Sequence, residues 1–449
     1  MSGAFAGERF VVLGLGIAGR AAARILADEG AAVRVSEERP DPEGADELRA
    51  LGIEVLAGGH HPSHIEGATA VLASPGVPES APVLSWAIER GIEVWSELDL
   101  GARLFDGPYV AITGTNGKST ATELVAEMMR AGGLDAVACG NIGYPFSTAA
   151  REGHEALAVE ASSFQLRFHH RVRPAVSVLL NVAADHLDWH GSLEAYAGAK
   201  ARVYELQGEG DVHVGNADDP AAAAISQGAP CERVWFRRDR PGTGEVGIEN
   251  GQVVSRMRGE TVGLGRPAHD SAGFLADAAA AAAAGLAFGL PNQAVAEGIR
   301  AMVPLPHRGE QVAQAGTVRF LDDSKATNVH AALHALEGKR DVILIAGGLS
   351  KGVDLSPLAA ATPSLAGVVA IGEAASEIAS LFEGRVTVRK AGSIEEAVRT
   401  AFALAPEDAI VLLAPACASW DMFRDYVERG DRFAAAAREL AEEVGGGQP

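Results

Sequence analysis

The sequence predicts an α/β protein of three domains, each built on a mainly parallel sheet with helices on its faces. Short apolar, β-branched runs alternate with helix-forming runs between residues 10 and 95, and this alternation returns between residues 318 and 413. Such alternation is the signature of βαβ units. A chain of 449 residues also exceeds what one hydrophobic core usually supports. We predict domains at 1–105, 106–305 and 306–449.

The N-terminal domain begins with a glycine-rich turn after a short strand. The strand Phe10–Leu13 is followed by Gly-Leu-Gly-Ile-Ala-Gly at 14–19, and Glu37 and Glu38 close the next strand. A Rossmann-like domain uses such glycines to approach a diphosphate and such an acid to bind a ribose. Two other interpretations stay open, a dinucleotide site and a glycine turn that only packs a helix on a strand.

Three histidines lie close together in the same domain. His60, His61 and His64 are bounded by glycine and proline and have no acidic or cysteine residue beside them. We predict a solvated loop here rather than a metal site.

The central domain is organised around a phosphate loop. The apolar run 109–113 stops at Gly-Thr-Asn-Gly-Lys-Ser-Thr (114–120), and a helix-forming run follows from Ala121 to Arg130. Gly114 and Gly117 let backbone N–H groups surround a phosphate at a helix N-terminus. Lys118 brings a positive charge, and the Ser119 or Thr120 hydroxyl can hold Mg²⁺. The alternative is an ordinary glycine turn before a capped helix.

Two further strands of this domain end in polar residues. Leu157–Glu160 ends in an acid, and 175–180 is followed by Asn181, Asp185 and His186. A parallel sheet places its ligands beyond the carboxyl ends of its strands. We therefore expect Glu160, His186 and the phosphate loop to converge.

Lys200 falls on the apolar seam of a predicted helix that runs from an N-cap at Ser192 to Gln207. A lysine there either snorkels outward or is desolvated, and desolvation favours the neutral amine that reacts with CO₂. Both alternatives stay open.

Composition limits the possible partners and location. The net charge of −21 disfavours a nucleic-acid or anionic-membrane partner. The three cysteines lie far apart in the sequence, which fits a reducing compartment. The longest apolar stretch, 278–290, is too short to span a membrane. We expect a cytoplasmic protein without membrane insertion.

The C-terminal domain carries three polar loops after predicted strands. They lie at 322–328, 347–352 and 415–421. Singly, each is compatible with a strand-to-helix turn that caps a helix. Together they present Lys351 as a charge and Thr327 and Ser419 as hydroxyl donors, a set suited to a ligand with carboxylates.

These strings resemble the Mur ligases of cell-wall synthesis over essentially the whole chain. The phosphate loop has two residues between its glycines, where the commonest loop has four. The other matching strings are Asn-Ile-Gly (141–143), Ser-Ser-Phe-Gln-Leu (162–166), Pro-His-Arg (306–308), Asp-Ser-Lys-Ala-Thr-Asn (323–328) and Pro-Ala-Cys-Ala-Ser (415–419).

The resemblance implies an ATP-dependent ligase that adds D-glutamate to UDP-N-acetylmuramoyl-L-alanine through an acyl phosphate, acting as a monomer in peptidoglycan precursor synthesis. It implies two Mg²⁺ sites, one completed by a carbamate on Lys200. The implied catalytic residues are Lys118, His186 and Lys200, and the implied metal-site residues are Ser119, Glu160, His186 and Lys200. The implied ATP-binding residues are Gly114, Thr115, Asn116, Gly117, Lys118, Ser119, Thr120, Arg308 and Asp323. The UDP-substrate residues are Ile17, Ala18, Ser36, Glu37, Ser74, Gly76 and Asn141, and the glutamate residues are Thr327, Lys351, Ser419 and Tyr426.

One departure and several alternatives remain. The family usually has two asparagines that help to hold the ATP base, where this chain has Asp270 and Gly273. A folylpolyglutamate-type ligase, a ligase for a diamino acid and a non-catalytic nucleotide sensor are the alternative functions. The pattern of donors does not distinguish D- from L-glutamate.

Overall fold

The computed structural model describes residues 3–267, 269, 271–303 and 305–445. The chain forms two compact units. The first comprises Met1–Val182, Trp189–Ala268 and Phe274–Met302, and the second comprises Ala183–Asp188, His269–Gly273 and Val303–Pro449. Three mainly parallel sheets with helices confirm the predicted fold class. No helix within the described ranges is long and apolar enough to cross a membrane.

The N-terminal sheet lies in the first unit and has five parallel strands in the order β3-β2-β1-β4-β5. The order reverses between β1 and β4, and the carboxyl edge beside such a reversal is where open α/β sheets bind ligands. The strands are β1 (Arg9–Leu13), β2 (Ala32–Glu37), β3 (Glu54–Ala57), β4 (Ala70–Ala73) and β5 (Glu93–Ser96). The helices are α1 (Ile17–Asp28), α2 (Ala45–Ala50), α3 (Pro82–Glu89) and α4 (Glu97–Leu104), with a short 3-10 turn at Pro62–Ile65.

The central sheet, also in the first unit, has nine strands in the order β14-β13-β12-β11-β10-β9-β6-β8-β7. Its pairs are parallel from β7 to β12, and the last two pairs are antiparallel. Strand β6 lies between β9 and β8, and all three are buried because helices cover both faces. The strands are β6 (Tyr109–Thr113), β7 (Ala136–Gly140), β8 (Ala156–Glu160), β9 (Val176–Leu179), β10 (Val212–Asn216), β11 (Glu232–Phe236), β12 (Glu245–Glu249), β13 (Gln252–Ser255) and β14 (Val262–Gly265).

One helix of the middle segment ends earlier than the sequence predicts. The helices of this segment are α5 (Lys118–Ala131), α6 (Phe146–Ala149), α7 (Ser163–Arg167), α8 (Leu187–His190), α9 (Leu193–Ala201), α10 (Pro220–Ser226), α11 (Ala272–Ala287) and α12 (Asn292–Ala301). The helix expected to reach Gln207 ends at Ala201 and tightens into a 3-10 turn at Arg202–Tyr204. Arg202 donates to the carbonyl oxygens of Leu166 and His169, which fixes the chain at this turn.

The second unit contains a six-stranded sheet in the order β15-β16-β20-β17-β18-β19. Among the described strands of this sheet, β15 and β16 pair antiparallel and the other neighbours pair in parallel. The strands are β15 (Glu310–Ala315), β16 (Val318–Asp322), β17 (Val342–Gly347), β18 (Leu365–Ile371), β19 (Thr387–Lys390) and β20 (Ile410–Leu413). The helices are α13 (Val329–Leu336), α14 (Ala375–Phe382), α15 (Ile394–Leu404) and α16 (Tyr426–Gly445), with a 3-10 segment at Ser356–Ser364. Two apolar clusters pack on the two faces of this sheet, as expected for a doubly wound domain.

Candidate active site

The phosphate loop leaves the buried strand β6 and enters helix α5, as predicted. Gly117 is the N-cap of α5 and has φ +85°, a conformation that L side chains rarely adopt. A Cβ at this position would lie 2.0 Å from Asp277 Oδ1. Both the backbone conformation and the space therefore require glycine, and the loop can present its N–H groups at the start of the helix.

Asn181 clamps the loop from the end of β9. Its Oδ1 accepts a hydrogen bond from the Asn116 N–H at 2.8 Å, and its Nδ2 donates to the Asn116 carbonyl at 3.1 Å. The Thr115 N–H donates to the Asn181 carbonyl at 3.0 Å. The sequence interpretation gave Asn181 no role, although its place after a strand that adjoins β6 was a usable signal. This clamp fixes the shape of the loop before a ligand arrives.

Lys118 folds back over the loop that it follows. Its Nζ donates to the Gly114 carbonyl at 3.0 Å and to the Thr115 carbonyl at 2.9 Å. These contacts hold an ammonium charge beside the concave side of the loop, where an anionic phosphate chain is favoured.

Ser119 and Glu160 meet beside the phosphate loop. Ser119 Oγ donates to Glu160 Oε2 at 2.7 Å, and Asn141 Nδ2 donates to Glu160 Oε1 at 3.0 Å. Glu160 is buried at the end of β8, and Thr120 is buried in α5. A hydroxyl and a carboxylate that an amide orients are the oxygen ligands that Mg²⁺ prefers. These residues therefore fit a magnesium ion, and the role of Asn141 toward the substrate stays a prediction.

Lys200 is buried against the same loop. It is 1% exposed, and its Nζ donates to the Gly114 carbonyl at 2.7 Å. The ammonium also lies 4.3 Å from the centre of the Tyr196 ring, and Tyr196 OH donates to Thr115 Oγ1 at 3.1 Å. Of the two alternatives from the sequence, snorkelling and desolvation, the structure shows the desolvated lysine.

A neutral histidine lies near Lys200. Burial, followed by the charges of Lys200 and Arg167, lowers the pKa of His190 to about 4. His190 Nε2 is 2.9 Å from Ser163 Oγ in helix α7. His190 is therefore uncharged near neutral pH and adds no second positive charge beside Lys200.

Apart from Asn141, the residues predicted for the UDP-linked substrate lie at the carboxyl edge of the N-terminal sheet. Glu37 Oε2 accepts from the Leu15 N–H at 2.6 Å in the glycine turn, and Arg39 Nε donates to Glu37 Oε1 at 3.1 Å. Burial opposes ionisation of Glu37, but hydrogen bonds from Arg39 and Leu15 and the Arg39 charge lower its pKa to about 2. Glu37 is therefore an anionic acceptor that closes the end of β2 against the turn after β1.

The neighbouring positions of that edge are polar or open. Ser74 Oγ donates to the Gly14 carbonyl at 3.1 Å, which joins the ends of β1 and β4. Ser36 Oγ lies 2.8 Å from Nδ1 of both His60 and His64, so the histidine loop packs onto this edge. Of the remaining predicted residues, Ala18 is half-buried, and Ile17 and Gly76 are exposed.

A buried ion pair marks the predicted glutamate site in the second unit. Lys351 Nζ contacts Asp185 Oδ1, and Asn328 Nδ2 donates to Asp185 Oδ2 at 3.0 Å. Burial alone would raise the pKa of Asp185, but the charges of Lys351 and His186 and these hydrogen bonds lower it. His186 and Lys351 have φ +53° and +57°. Such strain in non-glycine residues persists where surrounding contacts enforce it, often at functional sites.

The loops that carry Thr327 and Ser419 are held together by Arg429, which the sequence interpretation missed. Its guanidinium is fully buried and donates to Ser324 Oγ at 3.0 Å, the Ser324 carbonyl at 2.8 Å and the Cys417 carbonyl at 3.2 Å. Burial lowers the pKa of Arg429 to about 10, so it remains charged at neutral pH. An arginine within an otherwise charged helix gives no signal of this role in the sequence.

The remaining predicted residues of the second unit lie near these loops. Tyr426 begins α16, its carbonyl accepts from Ser324 Oγ at 2.8 Å, and Lys325 Nζ lies 5.0 Å from the centre of its ring. Burial raises the pKa of Asp323 to about 7, while the Arg308 charge partly opposes the shift. Arg308 Nε is buried and has no hydrogen-bond acceptor among the described residues. An unpaired guanidinium nitrogen of this kind fits a bound anion.

The departure from the family pattern is only partly visible. Asp270 lies outside the described residues. Gly273 lies in the first turn of α11, and a Cβ there would meet no atom within 4 Å. In the same helix, Asp277 places its carboxylate against Gly117. The sequence interpretation assigned Asp277 no role.

Comparison with known proteins identifies relatives along the whole chain. Models described as Mur ligase MurD-like N-terminal domain, Mur ligase middle domain and Mur ligase glutamate ligase domain match residues 8–96, 112–242 and 307–417. A UDP-N-acetylmuramoylalanine–D-glutamate ligase of Frankia casuarinae is 43% identical, and the match covers 97% of this chain and 94% of that protein. One of the same name from Geobacillus kaustophilus is 38% identical over 96% and 98%.

Solved structures show the same fold at lower identity. A pseudomurein peptide ligase type C from Methanothermus fervidus gives a TM-score of 0.61 at 20% identity, over 98% of this chain and 100% of that one. MurF ligase from Thermotoga maritima in complex with ADP gives 0.60 at 16% identity, over 97% and 98%. The length of the matches and the identity of the sequence relatives lead to one conclusion: the chain belongs to the Mur ligase family of ATP-dependent amide-bond ligases.

Proposed function

We propose that this protein joins D-glutamate to UDP-N-acetylmuramoyl-L-alanine with ATP, in the cytoplasmic synthesis of peptidoglycan precursors. The observation that carries the proposal is the meeting of Lys118, Ser119 and Glu160 at one phosphate loop. The names of the relatives that match nearly the whole chain supply the two substrates.

The chemistry has two steps. The L-alanyl carboxylate attacks the γ-phosphorus of ATP, the bond to the β-phosphate oxygen breaks, and an acyl phosphate and ADP form. The glutamate amine then attacks the acyl carbon, loses a proton, and inorganic phosphate leaves. The protein contributes mainly position and charge. Lys118 holds a positive charge against the phosphates, and the loop N–H groups fixed by Asn181 and Gly117 orient them.

Mg²⁺ would be held by Ser119 and Glu160, with Asn141 orienting the carboxylate. When bound, the ion neutralises charge on the transferring phosphoryl group. A second site would use His186 and a carbamate on Lys200. Its support is the burial of Lys200, since desolvation favours the neutral amine that adds CO₂.

The glutamate would lie at the loops of the second unit. Its binding site would combine the charge of Lys351, the hydroxyls of Thr327 and Ser419, and the aromatic ring of Tyr426. ATP would be contacted by Arg308 and Asp323. Asp185 already pairs with Lys351, so an incoming carboxylate competes with it for this charge. Arg308 Nε, buried and without an acceptor among the described residues, supports an anionic ligand nearby.

The direct test is phosphate release from ATP with UDP-N-acetylmuramoyl-L-alanine and either D- or L-glutamate. We expect release that requires the nucleotide substrate and D-glutamate together. Release with D-glutamate and a folate-type acceptor instead, or no release with any acceptor, would contradict the proposal. Light scattering of the same sample tests the expected monomer.

The carbamate has a separate test. Lys200→Ala and Lys200→Met both lose the carbamate and the hydrogen bond to Gly114, but only alanine leaves space for a small carboxylate. We expect both variants to lose activity and only Lys200→Ala to regain part of it in acetate or formate. Full activity of Lys200→Ala, with no effect of added carboxylates, would rule out the carbamate.

A further inference from the structure

Helix α13 carries two histidines on one face, and a glutamate follows at its C-cap. His330 and His334 are four residues apart, and residues at this spacing are neighbours on a helix surface. Their Nε2 atoms are 3.3 Å apart, and the two ring planes meet at 70°. Both rings are half-buried, so one side of the pair remains open to solvent.

The distance between the two nitrogens suits a bound metal ion. Zinc binds imidazole nitrogen at about 2.0–2.1 Å in tetrahedral geometry, which places two such nitrogens about 3.3–3.4 Å apart. At 3.3 Å the two nitrogens also share a hydrogen bond, which a bound metal ion would replace. The pair is therefore spaced for one ion between the two Nε2 atoms.

Glu337 orients the second histidine of this pair. Its Oε1 lies 3.1 Å from His334 Nδ1. Metal-binding histidines commonly donate their other ring N–H to a carboxylate, which fixes the tautomer and turns the opposite nitrogen into a ligand. With the proton on Nδ1, His334 Nε2 has its lone pair directed toward His330.

We propose that His330 and His334 form a surface site for a borderline transition-metal ion such as Zn²⁺, oriented by Glu337. Water completes the coordination, because no group of three or more histidine, cysteine or acidic residues among the described ones could hold a metal. Oxygen-preferring Mg²⁺ does not compete for two nitrogen ligands.

The site lies one turn from a loop of the proposed glutamate site. Asn328 is the N-cap of α13, its Oδ1 accepts from the Ala331 N–H at 2.9 Å, and its Nδ2 binds Asp185. A metal ion that bridges 330 and 334 would fix the first two turns of this helix. The binding itself does not depend on the ligase function.

Calorimetric titration with ZnCl₂ in excess Mg²⁺ tests the proposal. We expect His330→Gln and His334→Gln each to bind one zinc equivalent fewer than the wild type. Glu337→Gln should keep the site with about 10–100-fold weaker affinity. His60→Gln, which changes the other histidine cluster, is the matched control and should bind as the wild type does. Circular dichroism confirms that each variant is folded.

Anomalous diffraction at the zinc edge from zinc-soaked crystals locates the ion. A peak about 2 Å from both Nε2 atoms supports the site. Zinc stoichiometry that neither His330→Gln nor His334→Gln lowers, or a peak only elsewhere, would overturn it.

Discussion

Replacing Arg429 should weaken glutamate binding while leaving the binding of the UDP-linked substrate nearly unchanged. One side chain joins both loops, because the Arg429 guanidinium donates to the carbonyl oxygens of Ser324 and Cys417. Methionine keeps much of the volume and removes every donor. Lysine keeps the charge but offers a single nitrogen in place of a planar fork.

The structure sets the size of the effect. In Arg429→Met the Ser324 and Cys417 carbonyls lose their donor in a fully buried place, and each such loss costs about 1–3 kcal/mol. The sum is about 2–6 kcal/mol. Arg432→Met, on the same helix, removes an ion pair with Glu395 whose side chains are 43% and 44% exposed, which is worth about 0–1 kcal/mol.

Thermal unfolding and steady-state kinetics measure the two consequences. We expect Arg429→Met to lower the Tm of the second unit by at least about 4 °C, at about 2–4 °C per kcal/mol for a segment of this size. Because its loops carry Thr327 and Ser419, KM for glutamate should rise at least tenfold, while KM for the UDP-linked substrate changes little. Arg429→Lys should be intermediate. If Arg429→Met and Arg432→Met had equal Tm and equal KM for glutamate, the reasoning would be refuted.

Three further predictions concern the first unit. Gly117→Ala should raise KM for ATP at least tenfold, because φ +85° costs alanine about 1–2 kcal/mol and its Cβ meets Asp277. Adding Asp277→Ala should restore part of the affinity for ATP. A double variant whose KM for ATP is no lower than that of Gly117→Ala would contradict this. Glu160→Gln should lower kcat by at least about 100-fold and raise the Mg²⁺ concentration needed for half-maximal rate, with an unchanged circular dichroism spectrum. An unchanged Mg²⁺ requirement would exclude Glu160 from the metal site. Because the folded-state pKa of Glu37 is depressed to about 2, its contribution to stability is present above about pH 4.5 and is lost as the pH falls toward 2. The Tm difference between wild type and Glu37→Gln should therefore shrink between pH 6 and pH 3.5. A constant Tm difference would count against this role of Glu37.

The sequence predicted most of the fold because local patterns determine it. Strands β6, β8 and β9 are apolar runs ended by a glycine or polar residue, and this is visible without any tertiary information. Strand β3 (Glu54–Ala57) was not predicted, because only the second and third of its four residues are strongly apolar. The end of α9 was predicted too late in the chain, because it depends on the contacts of Arg202 with a distant loop. A local sequence pattern carries no information about such contacts.

The candidate site divides along the same line. The phosphate loop and its helix are one continuous string, so their roles follow from residue types and spacing. Asn181 acts on Asn116, 65 residues earlier in the chain, and Arg429 acts on Ser324, 105 residues earlier. Both act by hydrogen bonds to backbone or hydroxyl groups that nearly any residue could offer. A pattern of residue types therefore cannot indicate which residue Asn181 or Arg429 will bind.

The burial of Lys200 shows how such long-range contacts decide chemistry that the sequence leaves open. On a helical wheel the lysine could point outward or inward, and the two outcomes differ in which protonation state is favoured. In the structure the aromatic face of Tyr196 and the carbonyl of Gly114 enclose its nitrogen, and both of these residues also contact or belong to the phosphate loop. The packing that shapes the loop is thus the packing that desolvates Lys200. Any change that reopens this contact should alter nucleotide binding and the state of the lysine together.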